Sequence, residues 1–148
     1  PSQTRRGATE MPGVPSRGLR RGAAAVEFAL TLPILIAIGS AVLDYAWYLN
    51  QAADVLSAVR EGARYGATVA QEDDPITVAV ARTRASLANY NLSCSSPACV
   101  EATLGEIDGM VTVQVRAQVT YTPIIGLVPT PATMGASLVM VLEDQTES

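Results

Sequence analysis

Residues 23–43, "AAAVEFALTLPILIAIGSAVL", are apolar on every side of a helix and carry one charge, Glu27. At about 1.5 Å per residue the run spans roughly 30 Å, the thickness of a bilayer core, so a transmembrane helix is predicted. Pro33 lies inside it and is expected to bend it or to open its hydrogen bonding locally. The following "DYAWYLN" puts Tyr45, Trp47 and Tyr48 where an interfacial aromatic belt would stand. Beyond it the pattern turns amphipathic. Apolar or small residues recur at Tyr45, Leu49, Ala52, Leu56, Val59, Ala63 and Gly66, and polar ones at Asn50, Asp54, Ser57, Glu61, Arg64 and Thr68. Spacings of three and four in both sets predict that the helix continues to Gly66, where "QEDDP" stops it. One helix of about 45 residues, roughly 70 Å long, is expected, half in lipid and half outside.

Two further patterns complete the fold. Asp74 is a good helix cap and Pro75 suits a first helical position, and Ile76, Val80, Thr83, Leu87 and Tyr90 then repeat at helical spacing. A second helix ending near Asn89 or Asn91 is predicted. In "MVTVQVRAQVTY", Val111, Val113, Val115, Ala117, Val119 and Tyr121 alternate with polar residues, the pattern of a half-buried strand. "CVEATLGE" is its expected hairpin partner, "PIIGLVPTPATMG" a proline-rich connection and "ASLVMVLED" a last strand. The fold class expected is α+β, with one long helix, one short helix and a small antiparallel sheet of about three strands. Its parts are a basic leader or cytoplasmic tail at 1–22, a transmembrane helix at 23–43, an outer amphipathic continuation at 44–70 and an outer α+β domain at 71–148.

Charge orients this arrangement. Residues 1–22 carry Arg5, Arg6, Arg17, Arg20 and Arg21 against Glu10, a charge of +4, and their prolines and glycines are expected to prevent helix there. The remaining residues carry five arginines against thirteen acids, a charge of -8. Basic residues before an apolar run place the N-terminus in the cytoplasm and the C-terminal domain on the outer side. The acidic body suits no nucleic-acid partner, which needs cationic surface.

Composition narrows the chemistry. The chain has no histidine, and "no lysine" also holds, because all ten basic residues are arginine. Ser-His-Asp and Cys-His catalysis, most zinc sites and lysine Schiff-base chemistry are therefore outside its reach. Neither an enzyme nor a cofactor is expected. Asp73 and Asp74, adjacent and before a proline, read as a helix start rather than as paired catalytic carboxylates. Cys94 and Cys99 enclose four residues on the outer, oxidising side, which favours a disulfide worth roughly 2 kcal/mol over a redox pair or a metal site.

Glu27 poses the functional question, since a carboxylate in a membrane helix is costly. One reading is an edge charge that snorkels to the headgroups. The other is cleavage after Gly22, which would leave a free amine on Ala23 at a helix N-terminus. Ala23 and Glu27 are i and i+4, so acid and amine can pair within or between subunits. A signal-peptidase cut near Ala41 fits less well, because the helical pattern runs unbroken through that point.

The segment "RRGAAAVEFALTLPILI" resembles the processing signal of type IV pilin-like proteins: basic residues, a glycine, four residues, a glutamate, an aromatic and an apolar helix. "QAADVLSAVREGARYGA" is similar to the stretch after the membrane helix in TadE-like minor pilins, or pseudopilins, of the Tad (Flp, tight-adherence) type IV pilus system, and "VTVQVRAQVTYTP" is similar to their late strand. The resemblance runs over roughly residues 20–142. It implies prepilin-peptidase processing at Gly22 and Ala23, with Glu27 and Phe28 as the matching glutamate and aromatic; many relatives have tyrosine where this chain has Phe28. It implies a single-pass protein of the bacterial inner membrane that helps assemble or prime a pilus for surface attachment. Its partners would be other pilin subunits, the peptidase, the Tad inner-membrane machinery and membrane lipid. Within "REGARYGA", Arg60, Glu61, Arg64 and Tyr65 are the docking residues expected, toward another subunit or the sheet of the same domain, with Gly62, Ala63 and Gly66 small enough for close approach. Glu61 is also placed to reach Arg64 at i, i+3. The alternative is a single-span envelope protein whose outer domain binds a ligand or partner without forming a filament.

Overall fold

The computed structural model describes residues 17–92, 94 and 96–143. Its elements are helix α1 (Arg17–Ala67), helix α2 (Pro75–Asn89) and strands β1 (Val100–Ile107), β2 (Met110–Thr120) and β3 (Thr133–Val141). The class is α+β, as expected. The chain divides into a unit at residues 1–38 and a second at 39–148.

In the first unit the apolar side chains Val26, Phe28, Leu30, Ile34, Leu35, Ile36 and Ile38 are all exposed. They lie on all sides of a helix long and apolar enough to cross a membrane. The helix also continues through Pro33. It begins at Arg17, inside the stretch expected to be helix-free, whereas residues 1–16 of the expected leader lie outside the described residues. The reason is cooperativity. Gly18 and Gly22 each cost about 1 kcal/mol, but adding residues to an existing helix needs no new nucleus, and Leu19, Arg20 and Arg21 are good helix formers.

In the second unit the sheet has the order β1-β2-β3, all antiparallel. Ile107 pairs with Met110 across a two-residue turn in which Asp108 and Gly109 both have positive φ, 53° and 79°. That backbone matches the right-handed twist of a tight hairpin. Val113, Val115, Ala117 and Val119 of β2 face the core, with Gln114, Arg116, Gln118 and Thr120 outside, as their alternation predicts.

Against this sheet face pack α2 and the outer half of α1, whose Val55, Ala58, Val59, Ala63 and Ala67 join Ala79, Leu87, Met134 and Leu142 in one core. The outer continuation of α1 is thus part of the same body as residues 71–148. Its buried stripe is rotated from the expected one: Ala52, Val59, Ala63 and Gly66 turn inward, but Tyr45, Leu49 and Leu56 are exposed while Val55 and Ala58 are buried. Helical spacing admits neighbouring phases, and alanine and glycine add little hydrophobic signal with which to choose between them. The choice falls to whichever face lets α2 come close.

Helix α2 starts as its sequence predicts. Asp74, with φ 56°, accepts from the backbone N–H of Thr77 at 3.2 Å and from its hydroxyl at 2.5 Å, and Pro75 opens the helix. Beyond β3, the backbone N–H of Glu143 donates to the carbonyl of Ala67 at 2.9 Å, satisfying an end carbonyl of α1.

Candidate functional site

The segment expected to be processed lies on α1, where Gly22, Ala23, Glu27 and Phe28 are all exposed. No Cβ contact within 4 Å would crowd Gly22. Ala23 and Glu27 stand one turn apart on one helix flank, as the i, i+4 spacing requires.

The segment "REGARYGA" forms a joint between the two helices. A Cβ on Gly62 would fall 1.8 Å from Thr83 Oγ1 and 2.8 Å from the carbonyl oxygen of Ala79, and one on Gly66 would fall 2.8 Å from Ala79 Cβ. Two glycines four residues apart thus let α2 lie directly on the backbone of α1. Glu61, beside Gly62, crosses this joint. Arg82 donates to Glu61 Oε1 through Nε at 3.0 Å and also through Nη2, and Ser86 Oγ donates to Glu61 Oε2. The Arg82 guanidinium also lies 4.3 Å from the Tyr65 ring centre, a cation–π contact. The partner of Glu61 is therefore Arg82 of α2 and not Arg64, and the surface that Glu61 and Tyr65 meet is α2 and not the sheet. Arg60 and Arg64 are exposed. Helical spacing shows only neighbours on the same helix, so a partner supplied by another helix was invisible to it.

Asp44 is the residue that sequence reasoning passed over. It follows the apolar run directly, yet it is fully buried. Its Oδ1 accepts from the backbone N–H groups of Ile124 at 3.0 Å and Ile125 at 2.9 Å, and its Oδ2 from that of Gly126 at 2.9 Å. Three successive amides, ending at a glycine with φ 69°, form a small anion-binding concavity filled by the side chain of α1. Tyr121 Oη donates to the backbone carbonyl of Asp44 at 2.6 Å, and the Tyr121 ring packs edge-on to Tyr48 at 5.2 Å. Tyr48 is therefore a packing residue rather than a belt residue, whereas Tyr45 and Trp47 are exposed. The available signal was an acid at the end of an apolar run with no basic residue one turn away.

Both acids are held below the usual carboxylate range. For Asp44 the cause is the N–H of Ile125, then those of Gly126 and Ile124, against the cost of burial. For Glu61 it is the Ser86 hydroxyl and then Arg82. A depressed acid stabilises the folded state fully above its unfolded pKa and loses that contribution as pH falls through its folded value. The second unit is therefore expected to loosen below about pH 4, the ordinary carboxylate range. Trp47 emission followed through an acid titration checks this, and the Asp44→Asn, Glu61→Gln double variant should show a flatter acid limb.

Cys94 and Cys99 are bonded to each other, with Cα atoms 5.6 Å apart. The loop they close is tied to α2 by Arg84, which donates to the carbonyl of Pro97 at 2.5 Å. Among the described residues no group of three or more acidic or cysteine side chains is placed to hold a metal.

Comparison with curated proteins and with solved structures returns no match. A family model does match, over residues 22–64, and its description is TadE-like protein. The matched stretch holds Gly22, Ala23, Glu27 and Phe28, then Asp44 and the first part of the helix joint, Glu61 and Gly62 included. Over this stretch the chain is similar to TadE-like proteins, in line with the resemblance of its apolar helix and its "REGAR" segment.

Proposed function

We propose that this protein is a minor pilin or pseudopilin that takes part in assembling or priming a Tad-type pilus for surface attachment, without catalysis of its own. The observation that carries this reading is the TadE-like match, because it runs from the "GAAAVEF" segment to Glu61 and Gly62 of the helix joint on one continuous helix. In this reading a prepilin peptidase cuts between Gly22 and Ala23 and the basic leader is lost. The new amine of Ala23 pairs with Glu27, on its own helix or a neighbour's, and sets the register of adjacent subunits in lipid. The protein sits in the bacterial inner membrane with its sheet-bearing domain on the periplasmic side. Its partners are sister pilins and the Tad inner-membrane machinery, with exposed Arg60 and Arg64 as the docking cations.

Intact-mass and N-terminal analysis of the protein from native membranes, with and without the peptidase, tests this. A start at Ala23 that depends on the peptidase is expected. An intact Gly22–Ala23 bond in both samples would instead favour the single-span binding protein.

A further inference from the structure

Between Tyr121 and Thr133 the chain leaves the sheet and touches α1 at one level. On one limb Ile124, Ile125 and Gly126 donate their N–H groups to Asp44. On the other, Pro129 accepts from Tyr45 Oη at 3.4 Å. These ties hold the loop beside the helix turn that follows Leu43, the last residue of the apolar run. One turn before Asp44 on the same flank, Ser40 is also buried, roughly 6 Å further into that run.

The loop nevertheless turns its largest apolar side chains outward. Ile124, Ile125 and Leu127 are 62%, 49% and 58% exposed, much like Val42 and Leu43 on the helix at 63% and 57%. Between Arg116 and Glu143 the sequence has no Asp, Glu, Lys or Arg. Irregular backbone is tolerated near hydrocarbon only where its polar groups are satisfied. Here the three N–H groups at the loop's tip are bound by a carboxylate, and Pro123, Pro129 and Pro131 have no N–H to satisfy. The Asp44 charge is in turn covered by those amides.

We propose that this loop is a second membrane contact, in which Ile124, Ile125 and Leu127 enter the outer-side leaflet beside the exit of the transmembrane helix. The proposal rests on residues 23–43 crossing a membrane. Lipid is the occupant because the loop is tied to α1 at Asp44 and Tyr45, directly after the apolar run ends, and its exposed side chains are apolar and uncharged. With Asp44 as the clamp, the loop fixes the height of the outer domain above the lipid.

The test uses the full chain in phosphatidylethanolamine–phosphatidylglycerol vesicles, with Trp47→Phe as background and one new tryptophan at a time. Leu127→Trp and Ile125→Trp probe the loop, Leu43→Trp is the span reference and Gln114→Trp, on the exposed sheet face, is the aqueous reference. Loop emission is expected to be blue-shifted and to lose intensity with bromine-labelled lipid comparably to Leu43→Trp, while Gln114→Trp responds only to aqueous iodide. If Leu43→Trp is lipid-quenched and both loop probes are iodide-quenched, the loop lies in water and the proposal is wrong. Loop probes shielded from both quenchers would mean that a protein surface covers the loop, which also overturns it. If Leu43→Trp itself is not lipid-quenched, the membrane span fails and the proposal falls with it.

Discussion

Gly62→Ala is expected to destabilise the outer domain by about 1–3 kcal/mol, the usual cost of forcing atoms into a packed contact. Two effects oppose each other here. Replacing glycine by alanine inside a helix ordinarily gains about 1 kcal/mol. Against it, the new methyl group would lie 1.8 Å from Thr83 Oγ1 and 2.8 Å from the carbonyl oxygen of Ala79. The threonine is held by its own bond to that carbonyl, 2.8 Å long, and the carbonyl belongs to the α2 backbone and cannot rotate away. Relief requires moving the whole helix, which also strips Arg82 and Ser86 from Glu61. The steric effect wins. Urea unfolding of the full chain in detergent, followed by Trp47 emission, measures the shift. Gly39→Ala, with nothing within 4 Å of its added carbon, is the control and should be neutral or slightly stabilising. Adding Thr83→Ala to Gly62→Ala should restore part of the loss but not all, because the Ala79 carbonyl remains. An unchanged midpoint for Gly62→Ala would mean that the helices do not meet this closely.

Asp44→Ala is expected to release the loop at residues 123–129 from α1. The substitution removes a carboxylate that accepts three backbone hydrogen bonds and leaves three donors without their partner. Each bond lost is one to a charged acceptor, the kind worth about 1.5–3 kcal/mol. Amide exchange at Ile124, Ile125 and Gly126 should accelerate by at least roughly tenfold. Exchange in β2 should change less, since its ladder to β1 and β3 is untouched. Asp44→Asn should be milder. One oxygen still serves Ile124 and Ile125, while the amide nitrogen meets the Gly126 N–H as donor against donor. Tyr121→Phe separates the second tie, because its hydroxyl binds the Asp44 backbone carbonyl, which survives either substitution. Hydrogen exchange read by mass spectrometry distinguishes the three variants, and equal protection in Asp44→Ala and the parent would remove Asp44 from its role as clamp.

Much of this protein is determined by its sequence alone, and each such feature is local. The apolar run at 23–43 declares a helix by length. Asp74 and Pro75 start α2 where they stand, because a cap and a fixed φ act within one turn. The alternation in β2 assigns its two faces, since successive side chains point oppositely whatever the partner strand. In "REGAR" the small residues that allow close approach are legible as a string, because close packing needs them at helical spacing, whereas the surface they meet is not. What only the tertiary structure decided depends on groups distant in sequence. The partner of Glu61 stands 21 residues away and the donors to Asp44 at least 80. The phase of the α1 stripe was settled by α2, because glycine and alanine carry almost no hydrophobic signal of their own, yet they are the residues that permit two backbones to touch. Asp44 reads as an ordinary acid at a membrane edge until a loop from beyond the second strand folds back to supply three amides, and a burial that depends on such a return cannot be written in the residues beside it.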